Sequence, residues 1–210
     1  MMSFRALPLF FILGFSTPPP AAAVAVTKIL FLGDSLTEGL GVAHEAAYPA
    51  LIDAALKGKG IKDIEVINAG ISGSTTASGL SRLKWHLKGE AKPKILVLAL
   101  GANDGLRGLD LKAMKQNLLD VVRLAKTNGM KVVLAGMQIP PNYGHDYTET
   151  FARVFQDLAK AEDLVLIPFL LEGVAGERNL NQADGLHPTE AGHKIIAAIV
   201  LKYLEPLLAK

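Results

Sequence analysis

The stretch KILVLALG, residues 94–101, is the clearest indication of the class of fold that this sequence adopts. Its aliphatic run after Lys94 is unbroken up to Gly101, so both faces of the segment are apolar. A strand that is apolar on both faces is typical of a parallel sheet covered by helices on each side. The stretch therefore predicts a buried strand of an α/β protein.

The rest of the chain alternates in the same way between short apolar runs and segments with helical spacing. Four further strands are predicted, at residues 26–33, 63–70, 130–137 and 164–169. Five helices are predicted, at residues 48–60, 76–90, 111–129, 148–162 and 188–210. This order predicts one α/β domain over residues 26–210, with a five-stranded parallel sheet between two layers of helices.

Composition narrows the classes of function. The 210-residue chain has a formal net charge of +2 and no run of Lys or Arg, which disfavours nucleic-acid binding as its main role. It contains no cysteine, which excludes disulfides, thiolate zinc sites and cysteine nucleophiles. No grouping of His, Asp and Glu has metal-ligand spacing, so we expect neither a metal nor another cofactor.

Residues 1–25 have the layout of a secretory signal peptide. A single positive charge in MMSFR precedes ten apolar residues, ALPLFFILGF, and small residues follow in AAAVA. The apolar run is half of the roughly 20 residues that a spanning helix needs. We therefore expect cleavage after Ala23 or Ala25, export to the periplasm or medium, and no membrane insertion afterwards. An uncleaved anchor is the alternative.

Polar clusters follow the predicted strands. GDS (residues 33–35) follows the first strand, NAGISG (residues 68–73) the second, GAND (residues 101–104) the third and QIPPNYGHDY (residues 138–147) the fourth. ADGLHP (residues 183–188) stands before the last helix. Ligand sites of such sheets lie outside the carboxyl ends of the strands, so these clusters are expected to meet there.

Ser35 has three possible uses at a strand end. It could cap a helix, take part in a phosphate-binding loop, or act as a nucleophile if a base is near. Asp184 precedes His187 by three residues, a spacing that can bring its carboxylate to one ring nitrogen. The other nitrogen is then available to take the proton of Ser35. An ordinary turn explains the Asp184–His187 segment equally well.

Gly73 and Asn103 are candidates for stabilising a developing oxyanion. Glycine allows close approach of the backbone to a substrate, so the Gly73 N–H could serve as a donor. The Asn103 side chain could offer a second N–H. Gly and Asn are also common turn residues, so each position alone leaves this interpretation open.

Taken together, the motifs GDSL (residues 33–36), NAGISG, GAND and DGLHP (residues 184–188) resemble the GDSL hydrolases, also called the SGNH family. Their order and spacing agree over nearly the whole chain after residue 27. The resemblance implies a flavodoxin-like three-layer α/β/α sandwich and a serine esterase that needs no cofactor. It assigns Ser35, His187 and Asp184 to a catalytic triad, and Ser35, Gly73 and Asn103 to the oxyanion hole. Asp34 is expected to hydrogen-bond nearby backbone.

GANDGLRG (residues 101–108) and MQIPPNYGHDY (residues 137–147) further resemble segments of the family's bacterial periplasmic thioesterases, which are also described as arylesterases and lysophospholipases. This implies a small-molecule acyl ester or thioester as substrate, and we expect a monomer. The expected substrate contacts are Leu106, Ile139, Pro140 and Tyr143. One alternative is a carbohydrate or cell-wall acetyl esterase with the same machinery. Another is a non-enzymatic flavodoxin-like binding module.

Overall fold

The structure, a computed structural model, describes residue 2, residues 26–89 and residues 92–208. Apart from residue 2, the predicted signal peptide lies outside the described residues. The five strands are β1 Thr27–Gly33, β2 Ile64–Gly70, β3 Ile95–Ala99, β4 Lys131–Ala135 and β5 Val165–Ile167. They form one parallel sheet in the order β2-β1-β3-β4-β5.

Helices cover both faces of this sheet. They are α1 Ser35–Glu38, α2 Tyr48–Gly58, α3 Gly79–His86, α4 Ala102–Leu106, α5 Leu111–Thr127, α6 His145–Glu162 and α7 Glu190–Leu208. Helix α2 packs against α7, while α5 packs against both α3 and α6. The predicted three-layer α/β/α sandwich with a five-stranded parallel sheet is therefore confirmed.

Strand β3 is buried along its whole length, as its apolar sequence predicts. The neighbouring strand β1 is inaccessible to solvent from Ile29 to Leu32. Aliphatic side chains fill most of the core, and aromatic rings are concentrated in a few contacts such as the edge-to-face pair of Phe151 and Phe155. Burial of this apolar surface is the main favourable term in folding.

The strand register places the functional candidates on one edge of the sheet. Gly33, the last residue of β1, lies opposite both Gly70 of β2 and Ala99 of β3, so the three strands end at the same level. The strand order reverses between β1 and β3, and a crevice opens at such a switch point. The segments that begin with Ser35 and Asn103 leave the sheet beside this crevice.

Several helix boundaries differ from the sequence prediction. The segment predicted at residues 76–90 begins with a 3₁₀ turn, Thr76–Ser78, and its α-helix ends at His86. Helix α7 begins at Glu190, because Pro188 instead pairs with Asn181 in an isolated antiparallel bridge. None of the helices in the described part of the chain is long and apolar enough to cross a membrane.

Candidate active site

Ser35 begins α1, a single helical turn directly after β1. The cap of this turn is the preceding residue, because Asp34 Oδ1 accepts a hydrogen bond from the backbone N–H of Leu36 at 3.0 Å. Asp34 thus hydrogen-bonds nearby backbone as expected, and the Ser35 hydroxyl is not needed as a cap. The Ser35 residue is only 8% exposed.

The Ser35 hydroxyl lies at one end of a chain of hydrogen bonds. Ser35 Oγ is 2.9 Å from Nε2 of His187, whose Nδ1 is 2.6 Å from Asp184 Oδ2. The other oxygen of Asp184 accepts hydrogen bonds from the backbone N–H groups of Leu186 and His187, at 2.9 and 3.0 Å. The His187 backbone bond, then its ring bond and the Leu186 bond, lower the pKa of Asp184 to about 2. Asp184 is therefore ionised at neutral pH and oriented towards the imidazole.

Gln182 attaches the loop that carries His187 to the loop after α1. Its backbone N–H donates to the carbonyl of His187 at 2.7 Å. Its side-chain amide donates to the carbonyls of Leu40 and Pro188, at 2.7 and 3.0 Å. Nothing in the sequence indicated this role, because Gln182 lies outside the motifs and Leu40, which it joins to the His187 loop, is 142 residues away.

Asn103, near the start of α4, faces the same crevice. Its Nδ2 donates to the carbonyl of Ser74 at 3.0 Å and lies 3.5 Å from Asp34 Oδ2. Gly73 has a φ of +74°, and its N–H makes no hydrogen bond among the described residues. Asn103 and Ser35 both line a cavity that opens at this crevice, whereas Gly73 does not. An alignment of the Gly73 N–H with the Ser35 hydroxyl therefore stays a prediction.

The buried carboxyl of Asp34 and the guanidinium of Arg82 lie at the carboxyl end of β1, next to the site. Burial raises the pKa of Asp34 to about 6, although the Leu36 N–H, His187 and Arg82 favour its ionised form. Arg82, on α3, donates to the carbonyl of Gly33 at 2.8 Å and also to that of Ala69. It thus joins the carboxyl ends of β1 and β2 just before the nucleophile candidate. An isolated Arg in an amphipathic helix gives no sequence signal for such a role.

Asp104 follows Asn103 and has a different task. Its two carboxylate oxygens accept hydrogen bonds from the backbone N–H and the hydroxyl of Thr76, at 2.9 and 2.6 Å. The Asp104 side chain is almost fully buried. The contact holds the segment after β3 against the segment after β2, so Asp104 supports the position of Asn103.

A cavity of about 430 Å³ opens beside Ser35, Asn103 and His187. Its other lining residues are mostly apolar, among them Leu106, Met137, Ile139, Pro140, Phe169 and Leu171. Three of the four expected substrate contacts, Leu106, Ile139 and Pro140, thus lie on its wall. Tyr143 does not. Its hydroxyl donates to the carbonyl of Leu106 at 2.9 Å, so it supports the wall from outside.

In the ranges that the structure describes, no group of three or more His, Asp or Glu side chains could hold a metal ion. At the mouth of the cavity the Ser35 hydroxyl contacts the His187 imidazole, which in turn contacts the Asp184 carboxylate. The family model described as "GDSL-like Lipase/Acylhydrolase family" matches residues 31–195. The chain belongs to this GDSL-like family.

Three bacterial enzymes are similar to this chain over most of their length. Esterase TesA of Pseudomonas aeruginosa is 43% identical over 184 residues, which cover 88% of this chain and 90% of that protein. An arylesterase of Vibrio mimicus is 39% identical over 204 residues, with 97% and 98% covered. Thioesterase 1/protease 1/lysophospholipase L1 of Escherichia coli K12 is 37% identical over 186 residues, with 89% and 87% covered.

Solved structures of similar proteins agree in fold. A crystal structure of TesA superposes with a TM-score of 0.83 at 42% identity, covering 86% of this chain and 99% of that one. The esterase EstA from Pseudoalteromonas sp., described as inhibited by monoethylphosphonate, gives a TM-score of 0.81 at 32% identity, with 87% and 98% covered. The sheet order found here is flavodoxin-like. The two solved structures that share this fold are those of proteins described as esterases.

Proposed function

We propose that this protein is a serine esterase that hydrolyses acyl esters and thioesters through an acyl-enzyme intermediate. The observation that carries the proposal is the hydrogen-bonded chain of Ser35, His187 and Asp184 at the mouth of an apolar cavity. The names of the relatives, esterase, arylesterase and thioesterase/lysophospholipase, support the same substrate class.

In the acylation step, Ser35 Oγ attacks the acyl carbonyl carbon while His187 Nε2 takes the hydroxyl proton. Asp184 holds the proton on Nδ1 and stabilises the imidazolium that forms. The C=O electron pair moves onto the oxygen, where the N–H groups of Ser35 and Gly73 and the amide of Asn103 are the proposed donors. First-turn N–H groups of a helix have no intrahelical acceptor, which leaves the Ser35 N–H available.

Collapse of the tetrahedral intermediate breaks the bond to the leaving oxygen or sulfur. His187 gives its Nε2 proton to that atom, so an alcohol or thiol leaves and Ser35 stays acylated. His187 then takes a proton from water, whose oxygen attacks the acyl carbon. The second tetrahedral intermediate collapses as the bond between Ser35 Oγ and the acyl carbon breaks. His187 gives its Nε2 proton to Ser35 Oγ, and the carboxylic acid leaves.

The acyl part of the substrate fits the apolar cavity. Small-molecule sites have volumes of about 300–1,000 Å³ and mostly apolar walls, and this cavity of about 430 Å³ falls in that range. Leu106, Ile139 and Pro140 are the proposed contacts of the acyl chain. A sugar acetyl ester would instead require several polar groups for the sugar hydroxyls, and the wall offers few.

A fluorophosphonate probe tests the nucleophile. The wild-type protein should become labelled at Ser35, and Ser35→Ala should not react. Ser81→Ala is the matched control, because Ser81 is exposed on α3 and its hydroxyl donates to the local carbonyl of Ser78. Equal labelling of the wild type and Ser35→Ala would remove Ser35 from the mechanism.

A chain-length series of acyl esters and acyl-CoA thioesters tests the substrate class. Medium or long acyl chains should give a higher kcat/KM than acetyl, because only they fill the apolar cavity. Activity limited to acetyl esters would instead support the carbohydrate acetyl esterase.

Export is part of the proposal, supported by the signal-peptide layout of residues 1–25. The mature protein would begin after Ala23 or Ala25, act outside the cytoplasm and be monomeric. Fractionation of expressing cells, N-terminal sequencing and size-exclusion chromatography test these points. A full-length protein retained in the cytoplasm would contradict export.

A further inference from the structure

Two charged side chains, one at the end of α1 and one directly after α4, hold the loop after β2, residues 71–74. Glu38, the last residue of α1, accepts hydrogen bonds from the backbone N–H of Ser72 at 2.7 Å and from the Ser72 hydroxyl. Arg107, directly after α4, uses Nη2 to donate to the carbonyl of Gly73 at 3.1 Å and to Asn103 Oδ1 at 3.3 Å. Glu38 lies outside the sequence motifs, and Arg107 lies within GANDGLRG but had no predicted role.

The two contacts lie on either side of the peptide unit that carries the Gly73 N–H. The Ser72 N–H belongs to the preceding peptide unit, and the Gly73 carbonyl belongs to the following one. Glycine fixes its own dihedral angles poorly, and Gly73 has a positive φ of 74°. Contacts from Glu38 and Arg107 therefore supply the rigidity that the glycine lacks.

Arg107 also helps to fix which way the Asn103 amide faces, together with the acceptors on the other side of the amide. A guanidinium has only donors, so the Asn103 atom that faces Arg107 must be the oxygen Oδ1. Nδ2 then points to the opposite side, where it meets the Ser74 carbonyl and Asp34. Without Arg107, this orientation loses the bond that fixes the oxygen.

We propose that Glu38 and Arg107 are positioning residues that hold the Gly73 N–H and the Asn103 amide in place for the oxyanion. The proposal rests on the esterase function proposed above. Preorganised donors stabilise a transition state because they need no reorganisation when the charge develops. Glu38 acts on one donor and Arg107 on both, so loss of Arg107 has the larger effect.

The variants Glu38→Ala and Arg107→Met, in the full chain, test the proposal with p-nitrophenyl esters as substrates. Removing one oxyanion donor costs about 10²–10³ in kcat, and displacing a donor costs less. We therefore expect kcat to fall about tenfold in Glu38→Ala and about 10²-fold in Arg107→Met, with little change in KM. Glu149→Ala and Arg153→Met are matched controls, since this exposed pair on α6 lies outside the site.

Inhibitor affinity separates a positioning role from a merely structural one. A trifluoromethyl ketone forms an oxyanion on addition of Ser35, whereas the methyl ketone of the same chain length mainly occupies the acyl site. The Ki of the trifluoromethyl ketone should rise by the factor by which kcat/KM falls, while the Ki of the methyl ketone stays constant. An equal rise for both ketones would mean that the cavity itself has changed, and would overturn the proposal.

Conservative variants keep the test valid if the first pair does not fold. Glu38→Gln retains an acceptor for Ser72 and should recover most of the activity. Arg107→Lys retains the charge, but its side chain is one atom shorter and does not extend to the position from which Nη2 contacts both Gly73 and Asn103, so it should stay impaired. Wild-type kcat in folded Glu38→Ala and Arg107→Met, or in Arg107→Lys, would overturn only the positioning roles. A wild-type protein without ester hydrolysis would overturn the proposed function and these roles with it.

Discussion

Replacing Asp34 with Asn should make the protein more stable at neutral pH, although it alters a residue next to the nucleophile candidate. Asp34 is only 1% exposed, and burial raises the pKa of its carboxyl from 3.8 to about 6. Its ionised form is therefore a cost to the folded state. Asn has the same shape, and its oxygen can still accept the hydrogen bond from the Leu36 N–H.

The direction and size of this stability change follow from the pKa of the Asp34 carboxyl in the unfolded and the folded state, 3.8 and about 6. Because the folded-state pKa is raised, the penalty is absent below pH 3.8, grows as pH rises and is complete above pH 6. At about 1.4 kcal/mol per pH unit, the full penalty is about 3 kcal/mol. About 2 kcal/mol of it develops between pH 4.5 and pH 7.5. The stability advantage of Asp34→Asn over the wild type should grow by that amount over this range.

Urea denaturation of the wild type and of Asp34→Asn at several pH values measures the difference in their free energies of unfolding. The effects of titratable groups that both proteins share cancel in this difference. Asp184→Asn is the control, because the pKa of the Asp184 carboxyl is lowered in the folded state, whereas that of Asp34 is raised. The ionised Asp184 therefore stabilises the fold, and this stabilisation is complete above pH 3.8. The stability that Asp184→Asn loses should thus change little from pH 4.5 to 7.5. A stability advantage of Asp34→Asn that is constant with pH, or that shrinks as pH rises, would show that the buried Asp34 carboxylate does not destabilise the folded state.

Three further predictions concern the site and the core. Asn103→Ala should fold normally but lose about 10²–10³ in kcat, measured with a p-nitrophenyl ester, and unchanged turnover would exclude Asn103 from the oxyanion hole. Asp184→Asn should lower kcat by about 10⁴, since the imidazole of His187 would then adopt the wrong tautomer; a loss below tenfold would contradict the triad. Burial lowers the pKa of His193 to about 4, so the wild type should lose up to about 3 kcal/mol of stability as pH falls from 6.5 to 4. Denaturation of His193→Gln should lack this loss, and an identical pH profile would contradict the assignment.

The helix and strand pattern could be predicted from the sequence because it depends on local periodicity. The apolar run of β3 and the spacing of α5 are properties of consecutive residues, and they predicted a buried strand and an amphipathic helix. The start of α7 could not be predicted in this way. Pro188 looks like a first-turn residue, but the chain pairs it with Asn181, and such pairing depends on the loop as a whole.

The buried parallel strands and the edge on which the polar motifs meet could be predicted from the residues alone, because they follow from local periodicity and from the rule that parallel strands carry their sites at the carboxyl ends. The roles of the candidate site residues came from the resemblance of the motifs to the GDSL hydrolases, since spacing alone left cap and turn roles open. The three-dimensional packing was needed to show that Ser35 and His187, 152 residues apart, lie within hydrogen-bond distance, and that Asp34 caps the first turn. It also brought Glu38 and Arg107 to the 71–74 loop and left Tyr143 off the cavity wall. These contacts join side chains from separate loops, and their geometry is set by the packing of the whole domain, which no local pattern encodes.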